Sequence, residues 1–361
     1  MQPPPLDADY LNSLMAFGEP IFDNDHVKPF LKKVKRGSDF LSEYRPIHYV
    51  VDGVLPSGSL YAITGKRGTG KTAFLIGVTM AIITGRADLI GFPVEAGRVA
   101  YVALENPTDI RMKMSANAFV ANVDRELLND RLAVIDGRLP LPEIAEQLTV
   151  DIEENGEFQI VLFDTFQAGF AGGDFNDNAA VLAYARHLRG LTDLRGSPAV
   201  LVAAHPTKSA GEDNLEPYGG GSVMNELDGN LTLWAADGQI KLSFNKVRGP
   251  EFEPRHFRVE KVSSPDILDN RGREILLPRM IPVSAEAAEE RAQQGINTTR
   301  ALLKAMAENP GGSQREWAAA IGRAVGLVNK NLQKLKDQRL VEDVLGKWKL
   351  TAKGEKEALN G

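Results

Sequence analysis

The stretch Leu60-Tyr61-Ala62-Ile63-Thr64-Gly65-Lys66-Arg67-Gly68-Thr69-Gly70-Lys71-Thr72 decides the fold. A short apolar run enters residues 65–72, which satisfy G-x-x-x-x-G-K-[ST] at every position, and an apolar stretch of helical length follows over 73–84. Strand, glycine loop and helix in that order make a phosphate cradle. The glycines let the backbone curl until successive N–H groups point inward, and the helix N-terminus adds its dipole at the same place. Gly65, Lys66, Arg67, Gly68, Thr69, Gly70, Lys71 and Thr72 are therefore the expected nucleotide-binding residues. Lys71 is expected to reach the β- and γ-phosphates of ATP, and the Thr72 hydroxyl to bind Mg²⁺.

Working outward, strands are predicted over 59–64, 99–104, 132–135, 160–163, 199–203, 231–234 and 241–246. Several are nearly continuous apolar runs, as central strands covered on both faces require. Helical patterns between the early ones imply an α/β fold with a mostly parallel sheet. Asp237-Gly238 between the last two predicts an antiparallel hairpin at the sheet edge.

Three of the runs end in residues suited to phosphate chemistry. Asp164 closes the run Ile160-Val161-Leu162-Phe163, where a carboxylate can hold Mg²⁺ through its water shell or cap the following helix. Glu105 closes Val99 to Leu104, placed either to activate a water or to cap a helix. His205 follows Ala199 to Ala203 at the strand edge where α/β sheets bind ligands; it is either structural or a sensor of the γ-phosphate. Further on, Lys246 and Arg248 share one face of a strand by its period of two. They are solvated bases, or they stabilise charge on a neighbour's transferring phosphate.

Composition narrows the function classes. Of 361 residues 43% are hydrophobic and 25% charged, with net charge −6 and no cysteine, which excludes disulfides, thiolate zinc sites, iron–sulfur clusters and cysteine nucleophiles. Met1 leads into Pro3-Pro4-Pro5 instead of a basic start and apolar run, and 73–84 is too short to span a bilayer, so a cytoplasmic protein without a membrane partner is expected. Charge is uneven: residues 296–361 carry twelve Lys/Arg against seven Asp/Glu, +5, leaving −11 for the rest. The organisation expected is an N-terminal extension over 1–45 with the basic run Lys32-Lys33-Val34-Lys35-Arg36, an ATPase domain over 46–262, a helical linker over 263–295, and a small basic domain over 296–361.

That last domain reads as a winged helix-turn-helix. Helices are expected over 298–308, from a Ser313/Glu316 capping box, and over 324–336, followed by a hairpin turning at Leu345-Gly346. The third helix sets Val325, Val328, Leu332 and Leu335 on a core stripe. Arg323, Lys330, Asn331 and Lys334 on its outer face, with Lys347 on the wing, are the candidate nucleic-acid contacts, and such a helix can enter a major groove. A protein-binding or purely structural winged helix is the alternative.

The ordered set from Val51-Asp52-Gly53-Val54-Leu55-Pro56-Ser57-Gly58 through the phosphate loop, Tyr101-Val102-Ala103-Leu104-Glu105-Asn106, Leu162-Phe163-Asp164-Thr165, Ala204-His205-Pro206-Thr207-Lys208, Gly219-Gly220-Gly221-Ser222 and Asn245-Lys246-Val247-Arg248 resembles the RecA-like ATPases of the hexameric helicase group. The likeness is to the RepA-type replicative helicases of plasmids and phages, the AAA_25 family. It implies a RecA-like P-loop NTPase core, Glu105 as general base, Asp164 as the Mg²⁺-associated acid and His205 as γ-phosphate sensor. It also implies Lys246 and Arg248 acting in trans within a homo-oligomeric ring, a hexamer, on single-stranded DNA in its channel, with an initiator or primase as further partner. Loops over 169–177 and 207–222 would face that channel. The residues 171–177 hold no cation, and Lys208 stands near Glu212 and Asp213, which is weak electrostatics for gripping a strand. A loader of nucleoprotein complexes and a DNA-binding regulator assembled by ATP are therefore the rival expectations.

Overall fold

The computed structural model describes residues 35–170, 174–175, 177–207, 210–236 and 238–359. The chain divides into two units, 1–48 and 49–361. The described part of the first contains one short helix, α1 (Gly37–Ser42), with Phe40 and Leu41 exposed.

The second unit opens with an antiparallel ribbon of β1 (Tyr49–Val51) and β2 (Leu55–Pro56). Nine strands follow: β3 (Leu60–Gly65), β4 (Arg98–Ala103), β5 (Leu132–Asp136), β6 (Phe158–Asp164), β7 (Ala199–Ala204), β8 (Gly229–Ala236), β9 (Gln239–Val247), β10 (Arg255–Val262) and β11 (Leu277–Val283). They form one sheet in the order β11-β10-β9-β8-β3-β7-β6-β4-β5. From β8 to β5 every pairing is parallel; β8-β9-β10-β11 is an antiparallel meander.

Strand alternation divides the core into two layers. Tyr61, Ile63, Tyr101, Leu162 and Leu201 face α2 (Lys71–Thr84), α3 (Pro107–Val120) and α4 (Arg125–Arg131). Leu60, Ala62, Val102, Phe163 and Val202 face α5 (Leu141–Asn155), α6 (Phe166–Gly169), α7 (Asn178–Gly190) and α8 (Gly220–Glu226).

Helix α2 is apolar all round, which a helix lying on one sheet face does not need. The meander supplies the reason. β10 and β11 curl over the helix, setting Phe257 edge-to-face on Phe74 with ring centroids 5.7 Å apart. Two sequence expectations change here. The Asp237-Gly238 hairpin joins β8 and β9 but is not at the edge, because β10 and β11 lie beyond it, and Asp237 itself is outside the described residues. The segment 263–295 is not only a linker, since it contributes the edge strand β11. Pro278 and Pro282, which weaken a strand reading, are tolerated because β11 has a single neighbour.

From β11 the chain turns directly into α9 (Ala285–Glu308), capped by Ser284. The expected linker helix and the helix over 298–308 are one continuous element. Around its end pack α10 (Gln314–Ala320), α11 (Val325–Asp337), the hairpin β12 (Val341–Val344) with β13 (Lys347–Leu350), and α12 (Ala352–Leu359). Their own core holds Leu302, Trp317, Val328, Leu332, Leu335 and Trp348. The Ser313/Glu316 capping box is formed. Val325, expected on the core stripe, is 39% exposed: it is the first residue of α11 and lies above that core.

Candidate active site

The C-terminal ends of β3, β4, β6 and β7 meet at one edge of the sheet, beside β3, where connections leave in opposite directions. Register brings the side chains together. Glu105 N–H and Leu104 N–H both donate to the Asp164 carbonyl, at 3.3 and 3.0 Å, so the tips of β4 and β6 are tied. Glu105 Oε2 accepts from the Thr165 hydroxyl at 3.4 Å.

The capping alternatives for both acids are settled by the helices that follow. Asn106 caps α3, accepting from Asp109 N–H, and Thr165 caps α6, accepting from Ala168 N–H. Glu105 and Asp164 are left free of that task. Asp164 is 2% exposed and accepts from Tyr101 Oη at 2.9 Å, with the Thr72 hydroxyl beside it. Burial pushes its carboxyl above the ordinary range, opposed by those two hydroxyls and by the Lys71 charge.

The phosphate loop closes over residues 65–70, with Gly70 at φ +93° immediately before α2. A side chain at Gly70 would need that rare backbone and would also press on Met280 Cε, 2.7 Å from its Cβ position. Lys71 is 7% exposed; its ammonium donates to the Gly65 carbonyl at 2.7 Å and the Lys66 carbonyl at 3.3 Å, and meets His205 Nδ1 at 3.2 Å. Burial lowers its pKa to about 8, against the pull of Asp164 and Glu105. His205 is also shifted down, first by burial and then by Lys71, so its Nδ1 accepts from the ammonium and the ring stays neutral. Gln167 fixes the His205 backbone from both sides, donating to its carbonyl and accepting from its N–H, each at 3.3 Å.

These residues line a cavity of about 640 Å³ that also includes Arg67, Lys113, Val259, Lys261 and Pro278. Lys113 is ion-paired with Asp109. Val259, Lys261 and Pro278 come from the meander and, like Gln167 and Tyr101, were not foreseen as site residues. Only the Tyr in an otherwise aliphatic run, two pleats before Glu105, hinted at one of them. Thr69 is buried and bonds back to the Lys66 carbonyl at 2.8 Å, while Lys66 extends outward and sets its ammonium 5.1 Å from the ring centre of Trp234.

Lys246 and Arg248 are not in this cavity. Arg248 pairs with Asp228 at 3.0 Å, and Lys246 donates to the Met224 carbonyl. Asp228 also accepts from Leu60 N–H at 2.9 Å, which puts the pair at the N-terminal end of β3, roughly 15 Å of strand from the loop. The Lys246 pKa is lowered, by burial first and Arg248 next. Of the expected nucleic-acid contacts, Arg323, Lys330, Asn331 and Lys334 line a separate cleft; Lys347 is exposed on β13 away from it, and Lys208 lies outside the described residues. Among the described residues no group of three His, Asp or Glu could hold a metal by itself. Thr72 and Asp164, which both line the cavity, suit an ion held mainly by phosphate oxygens and water, the habit of Mg²⁺. No helix is long and apolar enough to cross a membrane, among the described residues.

The family model AAA_25, described as AAA domain, matches residues 30–211. A search of curated proteins finds no match. Strands β8 to β11 lie beyond the matched segment, whereas the loop, Glu105, Asp164 and His205 lie inside it. With half of its length inside that match, the chain belongs to the AAA_25 family and is a P-loop ATPase.

Proposed function

We propose that this ATPase is a RecA-like DNA motor, a replicative helicase of the RepA type serving a plasmid, phage or integrated element, and that its C-terminal domain is a winged helix. The observation that carries the reading is the division of charge. One protomer supplies Lys71, Glu105, Asp164 and His205 to a single cavity, while Lys246 and Arg248 stand at the other end of the strands, out of reach of that cavity and suited to a neighbour's. A ring, with six subunits in the resemblance, gives each nucleotide an arginine in trans.

In this reading Lys71 and the loop N–H groups hold the β- and γ-phosphates of ATP. Glu105 takes the proton of a water aligned with the γ-phosphorus, and the bond to the β-γ bridging oxygen breaks as the new P–O bond forms. Thr72, and Asp164 through water, would hold Mg²⁺, which would offset charge on the phosphates. His205, touching Lys71, reports loss of the γ-phosphate to the segment beyond β7.

The test is the steady-state ATPase rate with and without single-stranded DNA, on protein whose assembly is measured by mass photometry. A motor predicts rings, stimulation by single strands and unwinding of one overhang polarity. Monomers, or rings indifferent to single strands, contradict it. The cation-free residues 171–177 favour one second reading, a loader of nucleoprotein complexes, in which a protein partner stimulates turnover instead.

A further inference from the structure

The outer face of α11, where Leu327 and Lys330 are exposed, looks toward the β8–β9 hairpin. It forms one wall of a cleft of about 790 Å³ whose opposite wall is the β8–β9 hairpin, with Trp234, Ala235 and Ala236. The second to fourth turns of α9, through Arg291, Gln294, Gly295 and Thr298, form the floor. Its Ala288 carbonyl accepts from Gln239 Nε2 at 3.0 Å, fixing helix to hairpin, and Thr299 on α9 is hydrogen-bonded to Asn331 on α11 at 3.4 Å. One unbroken helix therefore sets the spacing of the walls.

The lining has a distinct chemistry. Arg291, Arg323, Lys330 and Lys334 face a single acid, Asp337, and Trp234 and Leu327 supply apolar surface between them. A molecule with net charge −6 gathers cations around a half-buried indole in this cleft. Cations spaced along a groove with an aromatic platform match a single nucleic-acid strand, whose phosphates need charge and whose bases stack. A duplex fits poorly, because α11 cannot enter a groove about 12 Å wide with the hairpin standing against the same face. Trp234 directly follows Leu233, the residue paired with Gly65 of the phosphate loop, and Lys66 of that loop sits on its ring.

We infer that this cleft binds single-stranded DNA, with Trp234 as the stacking platform and Arg323 and Lys330 as phosphate contacts. The inference rests on the DNA-motor reading for its ligand, but it assigns the strand to a place outside the ring channel.

Trp317 and Trp348 are buried in the C-terminal core, so Trp234 is the indole open to a ligand. Titrating the full chain with oligo(dT) is expected to quench its emission saturably, and duplex of equal length to quench far less. Binding is followed in parallel by anisotropy of a labelled oligo(dT). In Arg323→Glu/Lys330→Glu, checked for fold by circular dichroism, the slope of log affinity against log salt should fall by about 1.4. Trp234→Ala should weaken binding roughly 5- to 150-fold and Trp234→Phe should restore most of it. An unchanged salt slope in the double variant, no quenching by oligo(dT), or equal quenching by duplex overturns the inference. Single strands that bind and stimulate hydrolysis while Trp234 and the two cations prove irrelevant would sink the cleft and leave the motor standing. Binding in the cleft without stimulation does the reverse.

Discussion

Lys71 shows how a single residue carries both a stability and a binding consequence. Its pKa falls from 10.5 when unfolded to about 8 when buried, so between those values the unfolded chain holds more protons. Stability against unfolding therefore rises with pH across that window, by on the order of 3 kcal/mol, and burial of the charged ammonium is unfavourable below it. Phosphates entering the cavity favour the charged ammonium. ATP binding is expected to take up a proton above about pH 8, with affinity declining as pH rises further. Calorimetry near pH 9 in two buffers of different ionisation enthalpy measures this; Lys71→Arg should abolish the uptake. Gln167 acts through His205, which it positions by two backbone hydrogen bonds. Gln167→Ala should lower turnover with little change in ATP affinity, whereas Gln167→Glu, keeping only the acceptor, should rescue part of it.

At the scale of elements, the phosphate loop and its helix are clamped between the parallel sheet and the β10–β11 ribbon. Truncating Phe257, 1% exposed against Phe74, should cost about 3–5 kcal/mol by urea denaturation. The loop also touches the β8–β9 hairpin through Lys66 on Trp234. Mg-ATP binding is expected to draw Lys66 toward phosphate, so Trp234 emission should change on titration, and Trp234→Phe should remove the signal.

What the sequence made legible follows from the same elements. The parallel strands were readable because runs such as Ile160-Val161-Leu162-Phe163 are buried on both faces, and the loop because its chemistry needs particular residues at particular spacing. β10 and β11 were not. Arg255-His256-Phe257-Arg258-Val259-Glu260-Lys261 alternates like a strand but is polar enough to pass for a loop, and β11 carries two prolines. Those strands supply Val259, Lys261 and Pro278 to the cavity, so that wall of the site was unreadable as well. For Glu105 and Asp164 the sequence left open whether each caps the helix that follows, and only the structure shows that Asn106 and Thr165 do so instead.

For the whole molecule, the proposed trans role of Arg248, which pairs with Asp228 far from its own loop, would make assembly part of the chemistry. Lys71→Ala and Arg248→Ala proteins should each be inactive, and mixing them should restore partial hydrolysis, since some interfaces then pair an intact loop with an intact arginine. Mixed rings, verified by mass photometry, that recover nothing would count against the trans arrangement. The uneven charge agrees with two surfaces of different use: an acidic body carrying the nucleotide and a basic C-terminal domain turning its cations toward the hairpin.

Hydrolysis of ATP held by Lys71, with Glu105 as the proposed base, can be tested by one direct comparison. ATP affinity and steady-state hydrolysis are measured side by side for the natural protein and Glu105→Gln, whose amide keeps the shape and cannot take the proton. Glu105→Gln should bind ATP about as tightly as the natural protein and turn it over about 10²–10⁴-fold more slowly. A Glu105→Gln protein that hydrolyses ATP at the natural rate would contradict Glu105 as the base.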